Sequence, residues 1–256
     1  MELNLTRKKD LTTYTLGSFD IGIKNLCFCI LDRSEEPPYF RIYRWKLINL
    51  VSQQGKKTLK CKQLIKPKKK GDPSKLCGKR ANWWHSESGE GYCGMHKPKN
   101  NQEIVRYTTT RNISDFELNQ QIILELDKYP ELWTRCNEIV LETQMRSKMK
   151  QVTNMIFSCL TDRMIHTENS SLKDIRVVSA RNKLAIPEKY LTIVLPDGDK
   201  SKYPGRKTLA KEHCPLLIQD DPYYLNIFQS SKKADDLADS FLQGIYHLFT
   251  HSPPEV

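Results

Sequence analysis

The sequence predicts an α/β domain built on a mixed five-stranded sheet, with a small Cys/His insertion. Three observations carry this prediction. Three short apolar strands follow one another near the N-terminus. Helix and strand patterns then alternate through the second half. Between the two regions the composition turns rich in Lys, Gly, Pro and Cys and poor in aliphatics.

"TYTLGSF" (13–19), "NLCFCILD" (25–32) and "YFRIYRWKLINL" (39–50) read as consecutive strands. The links between them are short, a Gly-containing turn and Pro37-Pro38, which favours an antiparallel meander. Cys27 and Cys29 share one face of the second strand and read as small core residues. From Ser114 to Tyr129, Phe116, Ile122, Ile123 and Leu126 recur at helical spacing. Ser114 or Asp115 suits the cap and Pro130 closes the helix. "EIVLET" (138–143) and "IRVVSA" (175–180) are short continuous apolar runs, the mark of strands buried on both faces. A helix is expected at 147–166, another at 206–213, and a last one from about Lys232 to Thr250. Alternation of this kind implies parallel strands joined by right-handed crossovers. The expected division is a core of 13–51 and 101–250, an insertion of 52–100, and flexible termini at 1–12 and 251–256.

The 256 residues carry a net charge of +11. That balance suits a polyanionic partner such as nucleic acid. Eleven basic residues lie between Lys56 and Arg80 against one acid, Asp72, so the rest of the chain is near neutral. No apolar run approaches the ~18 residues of a membrane span, and no membrane partner is expected. The first residues show no long apolar stretch ending in small side chains, so no secretory signal is expected. The eight cysteines then read as reduced thiols.

"KKADDLADSF" (232–241) sets Asp235, Asp236 and Asp239 within five positions. An acidic first turn offsets the helix dipole, but three acids exceed that need. Asp236 and Asp239 share a face, opposite an arc of Leu237, Ala238, Phe241, Leu242, Ile245, Leu248 and Phe249. Asp235 and Asp239, four apart, share a face too. Asp20 ends the first strand and Glu142 ends "EIVLE". A charge at the end of a buried strand is costly unless paired or metal-bound. Oxygen-only ligation suits Mg²⁺ or Mn²⁺. Two such ions activate a water and stabilise a leaving oxygen in phosphodiester cleavage. "DIGIKN" also resembles the phosphate loop of actin-like ATPases, but the second Asp-Gly, Asp197-Gly198, lies in a polar irregular loop and the chain is short for that fold.

Cys61, Cys77, Cys93 and His96 read as C-x15-C-x15-C-x2-H, a chemically sound Cys₃His set for one structural zinc ion, with His85 as an alternative ligand. A segment with few aliphatics needs such a staple. Its lysines suit phosphates. Trp83 and Trp84 suit either stacking on unpaired bases or filling the small module's core. "KPKKK" (66–70) also suits a nuclear localisation signal.

"FDIGIKN", "IVLETQMRSK", "IRVVSA", "GRK" and "KKADDLADSF" stand in the order found in Holliday-junction resolvases of the poxvirus and iridovirus type. The chain resembles that family, relatives of bacterial RuvC and the fungal mitochondrial resolvases, over about 13–50 and 113–250. The resemblance implies an RNase H-like fold and a homodimeric, Mg²⁺-dependent endonuclease that cuts four-way DNA junctions with two ions per site. It implies that Asp20, Glu142, Asp236 and Asp239 are the metal-binding catalytic acids, with Asp235 the extra acid of the viral motif. Lys24, Gln144, Arg146, Lys148, Arg206, Lys207, Lys232 and Lys233 would lie near DNA phosphates, although "ETQMRSK" is less basic than the viral version. The implied setting is intracellular, at a cytoplasmic replication site or in the nucleus for a viral protein, ahead of a mitochondrial one. The compact resolvases lack the insertion. Two other readings fit the residues: the same core acting on other branched DNA or RNA–DNA hybrids, and a non-catalytic zinc-dependent nucleic-acid-binding protein with structural acids.

Overall fold

The computed structural model describes residues 14–51, 60–65, 67, 73–99, 103–198 and 202–251. The basic run "KPKKK" and the expected flexible termini lie almost wholly outside them. The chain divides into two compact units, 1–50 with 115–256, and 51–114.

In the larger unit, β1 (Thr15–Asp20), β2 (Leu26–Arg33) and β3 (Phe40–Ile48) form the antiparallel meander. β9 (Glu138–Glu142) pairs parallel with β1, and β10 (Asp174–Val178) pairs parallel with β9. The strand order is β10-β9-β1-β2-β3, with β1 at the centre. This is the mixed five-stranded sheet expected from the sequence, three antiparallel strands followed by two parallel ones. β2 is buried along seven of its eight residues, which accounts for its unbroken apolar sequence. Cys27 and Cys29 are wholly buried core residues.

Helices cover both faces. On one face α2 (Pro130–Arg135) sets Trp133 against Phe19 and Phe28, α3 (Ser147–His166) packs on β9 and β10, and α1 (Asp115–Leu126) packs on α3. The Trp133 ring stands 5.5 Å from Phe19 and 5.1 Å from Phe28, edge-on to the latter. Such aromatic pairs add ~0.5–1.5 kcal/mol beyond their buried area. The stripe of α1 differs from the expected one. Leu118, Ile122 and Leu126 are buried, whereas Phe116 and Ile123 face solvent. Pro130 does not merely close α1. It occupies the first turn of α2, where its missing N–H costs nothing.

On the other face, α6 (Ala234–Thr250) lies across β1 and β2, flanked by α4 (Tyr203–Leu217) and α5 (Pro222–Ser230). All seven residues of the expected apolar arc of α6 are buried. Buried polar contacts fix its register. Gln243 Nε2 donates to Ser18 Oγ (3.1 Å) and to the Phe19 carbonyl (3.2 Å), and Ser240 Oγ accepts from Trp45 Nε1 (3.1 Å). Gly244 permits the close approach. A Cβ there would stand 2.7 Å from Leu31 Cδ1 and 3.0 Å from Ser18 Cβ. α4 is longer than expected, and α5 was not expected at all. Asp221 caps α5 by accepting from the Tyr224 N–H (3.1 Å), followed by Pro222.

The smaller unit holds two little sheets. β4 (Leu64–Ile65) pairs with β5 (Lys75–Leu76). β6 (Trp83–His85) lies between β7 (Gly91–Tyr92) and β8 (Ile104–Arg106). Residues 104–106, expected with the core, pair here instead. Among the described residues every cysteine is free, and no helix is long and apolar enough to cross a membrane.

Two predictions follow from the seating of α6. Gly244→Val forces side-chain atoms into the sheet. The overpacking cost of ~1–3 kcal/mol outweighs the few tenths of a kcal/mol gained in helix propensity, so the urea midpoint falls. The second concerns His247 near the helix end. Burial, reinforced by the charges of His251 and Arg176, holds its pKa down at about 4 from 6.5. The native state therefore binds fewer protons than the unfolded chain between those values. This contribution is complete above pH 6.5 and disappears as the pH falls towards 4. Urea unfolding at pH 7 and pH 5 shows a larger loss in wild type than in His247→Gln.

Candidate active site

Strand alternation builds the acidic site. On β1, Leu16, Ser18 and Asp20 share the face towards α6, because side chains alternate with a period of two. β9 runs parallel in the register Leu16↔Glu138 and Ser18↔Val140. One further step of two sets Asp20 beside Glu142 at the C-terminal ends of neighbouring strands. Gly22 makes the turn beyond Asp20. A Cβ there would lie 2.3 Å from the Asn25 carbonyl oxygen. The seating of α6 then presents Asp236 and Asp239 from its first turns.

The carboxyl of Asp20 is pushed well above its ordinary pKa. Burial is the main cause, followed by the charge and hydrogen-bonding reach of Glu142 and the charge of Asp239, opposed by Lys183. Asp236 is also raised, by burial and then by Asp235 and Asp239. Asp236 Oδ2 has no hydrogen-bond partner among the described residues. Lys233 Nζ stands 3.8 Å from it. Lys183 Nζ lies 2.6 Å from Asp239 Oδ1 and forms an ion pair with it. Desolvated, mutually repelling carboxylates with an unsatisfied oxygen are the donor set that a hard divalent cation meets. The four acids are not drawn as tight as the cysteine cluster described below, whose ligand atoms all lie within 4.8 Å of one another.

Asp235 stands apart. Despite burial, its carboxyl is held below the ordinary value by Lys207, whose Nζ donates to Asp235 Oδ2 at 2.6 Å. Lys207, expected near phosphates, is thus placed on an acid. Gln144 Nε2 donates to Glu142 Oε2 (2.8 Å), which holds that carboxylate rather than facing away from it. Lys24, Arg146, Lys232 and Lys233 are exposed, while Lys148 and Arg206 are partly buried. Lys183 was not singled out in the sequence. It follows the short helical turn Ala180–Asn182, and nothing in its local pattern marks it.

In the smaller unit, Cys61, Cys77, Cys93 and His96 converge. Cys61 Sγ and Cys93 Sγ lie 3.4 and 3.5 Å from His96 Nδ1, and Cys77 Sγ lies 3.8 Å from Cys93 Sγ. A tetrahedron with zinc–sulfur bonds of ~2.3 Å and a zinc–nitrogen bond of ~2.0 Å has edges of about 3.5–3.8 Å, so the set fits that ion. The backbone folds each half into place. The Cys77 N–H donates to the Gln63 carbonyl (2.8 Å), the Gly78 N–H to the Cys61 carbonyl (3.0 Å), and the His96 N–H to the Cys93 carbonyl (3.1 Å). Gly78, at φ +62°, takes a left-handed conformation suited to glycine. His85, the alternative ligand, is engaged elsewhere, with Nε2 2.7 Å from Glu103 Oε2. The Trp83 ring is covered by Lys97 Nζ at 3.7 Å, with Arg106 5.6 Å from its centroid, and Trp84 neighbours Tyr107.

No family model matches the chain. It is 27% identical over 202 residues to the uncharacterized protein L451 of Acanthamoeba polyphaga mimivirus, covering 71% of this chain and 48% of that protein. The chain therefore spans about half the length of that relative. Among solved structures it is similar to the fowlpox virus resolvase in complex with Holliday-junction DNA. The identity is 13%, the TM-score 0.45, and the coverage 91% of this chain and 96% of that one. The yeast mitochondrial Holliday junction resolvase Ydc2 is similar at 14% identity and TM-score 0.48, covering 91% and 79%. Thermus thermophilus RuvC is similar at 9% identity and TM-score 0.44, covering 92% and 93%.

Proposed function

We propose that this protein is a divalent-metal-dependent, structure-selective DNA endonuclease acting on four-way junctions. What supports the reading is the placement of Asp20 and Glu142 at adjacent strand ends, with the charge of Asp239 on α6 acting on Asp20. The raised pKa of Asp20 and the unpartnered Oδ2 of Asp236 agree with it. The motif blocks resembling junction resolvases point the same way.

Asp20, Glu142, Asp236 and Asp239 would hold Mg²⁺ or Mn²⁺. Such ions, when bound, lower the pKa of a water and stabilise charge on a phosphodiester's leaving oxygen. The chain's own residues do the rest. The strand register holds Asp20 and Glu142 side by side. Gln144 orients Glu142 through its amide. Lys183 pairs with Asp239 and Lys207 with Asp235, which leaves Asp236 the least engaged of the helix acids, and a metal held by Asp239 would share that carboxylate with Lys183. Symmetric cutting of a four-way junction needs two sites, so the reading includes a homodimer. The Cys₃His cluster would hold one structural zinc ion, stapling a module whose Lys60, Lys62, Lys75, Lys79 and Arg80 suit phosphates.

One specific observation favours a second reading. Asp235 and Asp239 already have lysine neighbours, as purely structural acids would. The two readings separate on a labelled four-way junction with Mg²⁺. For the nuclease, Asp20→Asn and Asp236→Asn each lower single-turnover cleavage by at least about 10²-fold, the scale of losing one transition-state stabiliser, and leave junction affinity within a few-fold of wild type. Absence of cleavage by wild type, with binding intact, gives the site to the non-catalytic reading. Cutting of flaps or RNA–DNA hybrids in preference to junctions changes the substrate and keeps the chemistry.

Zinc is checked separately. Elemental analysis of the purified protein gives about one equivalent per chain, and Cys93→Ser lowers it, as loss of one of four ligands requires. Wild-type protein without zinc rules the ion out.

A further inference from the structure

The sheet carries a second group of cations, on the face away from the acidic helix. β3 is an edge strand, paired on one side with β2. Lys46 is opposite Phe28 and Arg44 opposite Ile30. Both therefore lie on the face where Phe28 packs against Trp133. Arg41 is three positions from Arg44, and in a regular strand an odd separation would send it to the other face. The pairing shifts between Ile30 and Leu31, however, leaving Tyr43 as the extra residue. Arg41 then falls opposite Asp32, on the same face as Arg44 and Lys46. A bulge of this kind re-aims side chains, and it is kept where that has a use. Here it aligns three cations in one row.

What the row meets is a phenol rather than a carboxylate. Lys46 Nζ donates to Tyr129 Oη and stands 4.6 Å from the ring centroid, with the Arg44 guanidinium at 5.4 Å. The hydrogen bond from Lys46 lowers the Tyr129 pKa against the opposing effect of burial, helped by the charge of Lys46 and by the hydrogen bond and charge of Arg44. Asp32, the acid opposite Arg41, is bound by Arg135 at 2.8 Å, and Arg135 in turn stacks 4.3 Å above Tyr43. Among the described residues no salt bridge joins Arg41, Arg44 or Lys46 to a carboxylate. The row is therefore rich in donors. A guanidinium fork, an ammonium and a phenol O–H converge on one spot at the sheet edge. A phosphodiester, with several acceptor oxygens and one negative charge, matches that set.

We propose that Arg44 and Lys46 beside Tyr129, with Arg41 further along the same strand face, bind backbone phosphates of DNA at a surface separate from the strand held by the acids. This deepens the nucleic-acid reading above and rests on it for the ligand. The row would grip a duplex arm without reading its sequence, as phosphate contacts do.

The test is equilibrium binding of a four-way junction and of a plain duplex, without divalent metal, over a range of salt. The protein is the triple variant Arg41→Gln, Arg44→Gln, Lys46→Gln. Each phosphate contact contributes ~0.9 to the slope of log affinity against log salt. The variant's slope therefore falls by about 2–3, and its affinity at low salt drops at least about 10-fold. Its cleavage rate at saturating junction stays that of wild type. Tyr129→Phe, which keeps the ring and removes the donor, weakens binding by a smaller factor. Circular dichroism verifies that the triple variant is folded. If it is not, Arg44→Gln and Lys46→Gln taken singly carry the comparison, each lowering the slope by about 1. A folded variant with wild-type slope and affinity overturns the proposal. If wild type does not cleave but these variants still lose affinity, the nuclease reading falls and this surface stands.

Discussion

The seating of α6 on β1 and β2 is the constraint on which the rest of the larger unit depends. Hydrophobic burial brings the helix to the sheet but sets neither its rotation nor its depth, because burial is non-directional. Direction comes from a few polar atoms. The Gln243 amide reaches Ser18 and the Phe19 carbonyl, and Ser240 receives the Trp45 indole. Each is buried, so a slip of one residue would strand several polar groups without partners, a larger cost than the contacts themselves contribute. Depth comes from Gly244, where the helix backbone nearly touches Ser18 and Leu31. The same strand that supplies Ser18 supplies Asp20 two residues on. The contact that fixes the helix therefore also fixes the distance between the strand acids and the helix acids.

That arrangement concentrates negative charge where it is costly. Burial and the charges of Glu142 and Asp239 raise the proton affinity of Asp20, and burial with Asp235 and Asp239 raises that of Asp236. Three lysines relieve part of the strain, each beside a different helix acid. Asp235 gains a full hydrogen-bonded ion pair with Lys207 and is held low. Asp239 is ion-paired with Lys183 at 2.6 Å, and Asp236 has the more distant Lys233 at 3.8 Å. Three aspartates within five positions are thus engaged differently: Asp235 closes an ion pair between α4 and α6, Asp239 pairs with Lys183, and Asp236 has only a distant lysine beside it.

Much of this was legible in the sequence, and the part that was not has a physical reason. β1, β2 and β9 announce themselves through apolar runs that reflect burial directly, and α3 through helical spacing; β10, whose apolar run predicts burial on both faces, is an edge strand in which only Ile175 is buried. The arc of α6 was readable because all of it is buried against the sheet. α1 misled because Phe116 and Ile123 are apolar yet exposed, and periodicity registers hydrophobicity, not burial. α5 was missed although Asp221-Pro222 is a good start signal, because its nine residues are rich in tyrosine and short on a clear stripe. Lys183 and Gln144 were illegible in their roles. Both act through contacts with acids that the sequence alone does not bring to them.

The row on β3 shows the same limit from the opposite side. Read by alternation alone, Arg41 belongs with Tyr43 and Trp45, and Arg44 with Lys46, which divides the charges between two faces. One extra residue in the ladder, Tyr43, reverses that parity for everything before it. No propensity marks the bulge, because it arises from pairing with β2 and from what Tyr43 does there. The Tyr43 carbonyl accepts from the Tyr224 hydroxyl of α5 (3.0 Å), while its ring lies under Arg135 of α2. Helices on both faces thus hold the residue that displaces the register. The charge distribution on one face of the sheet is therefore set by packing on both.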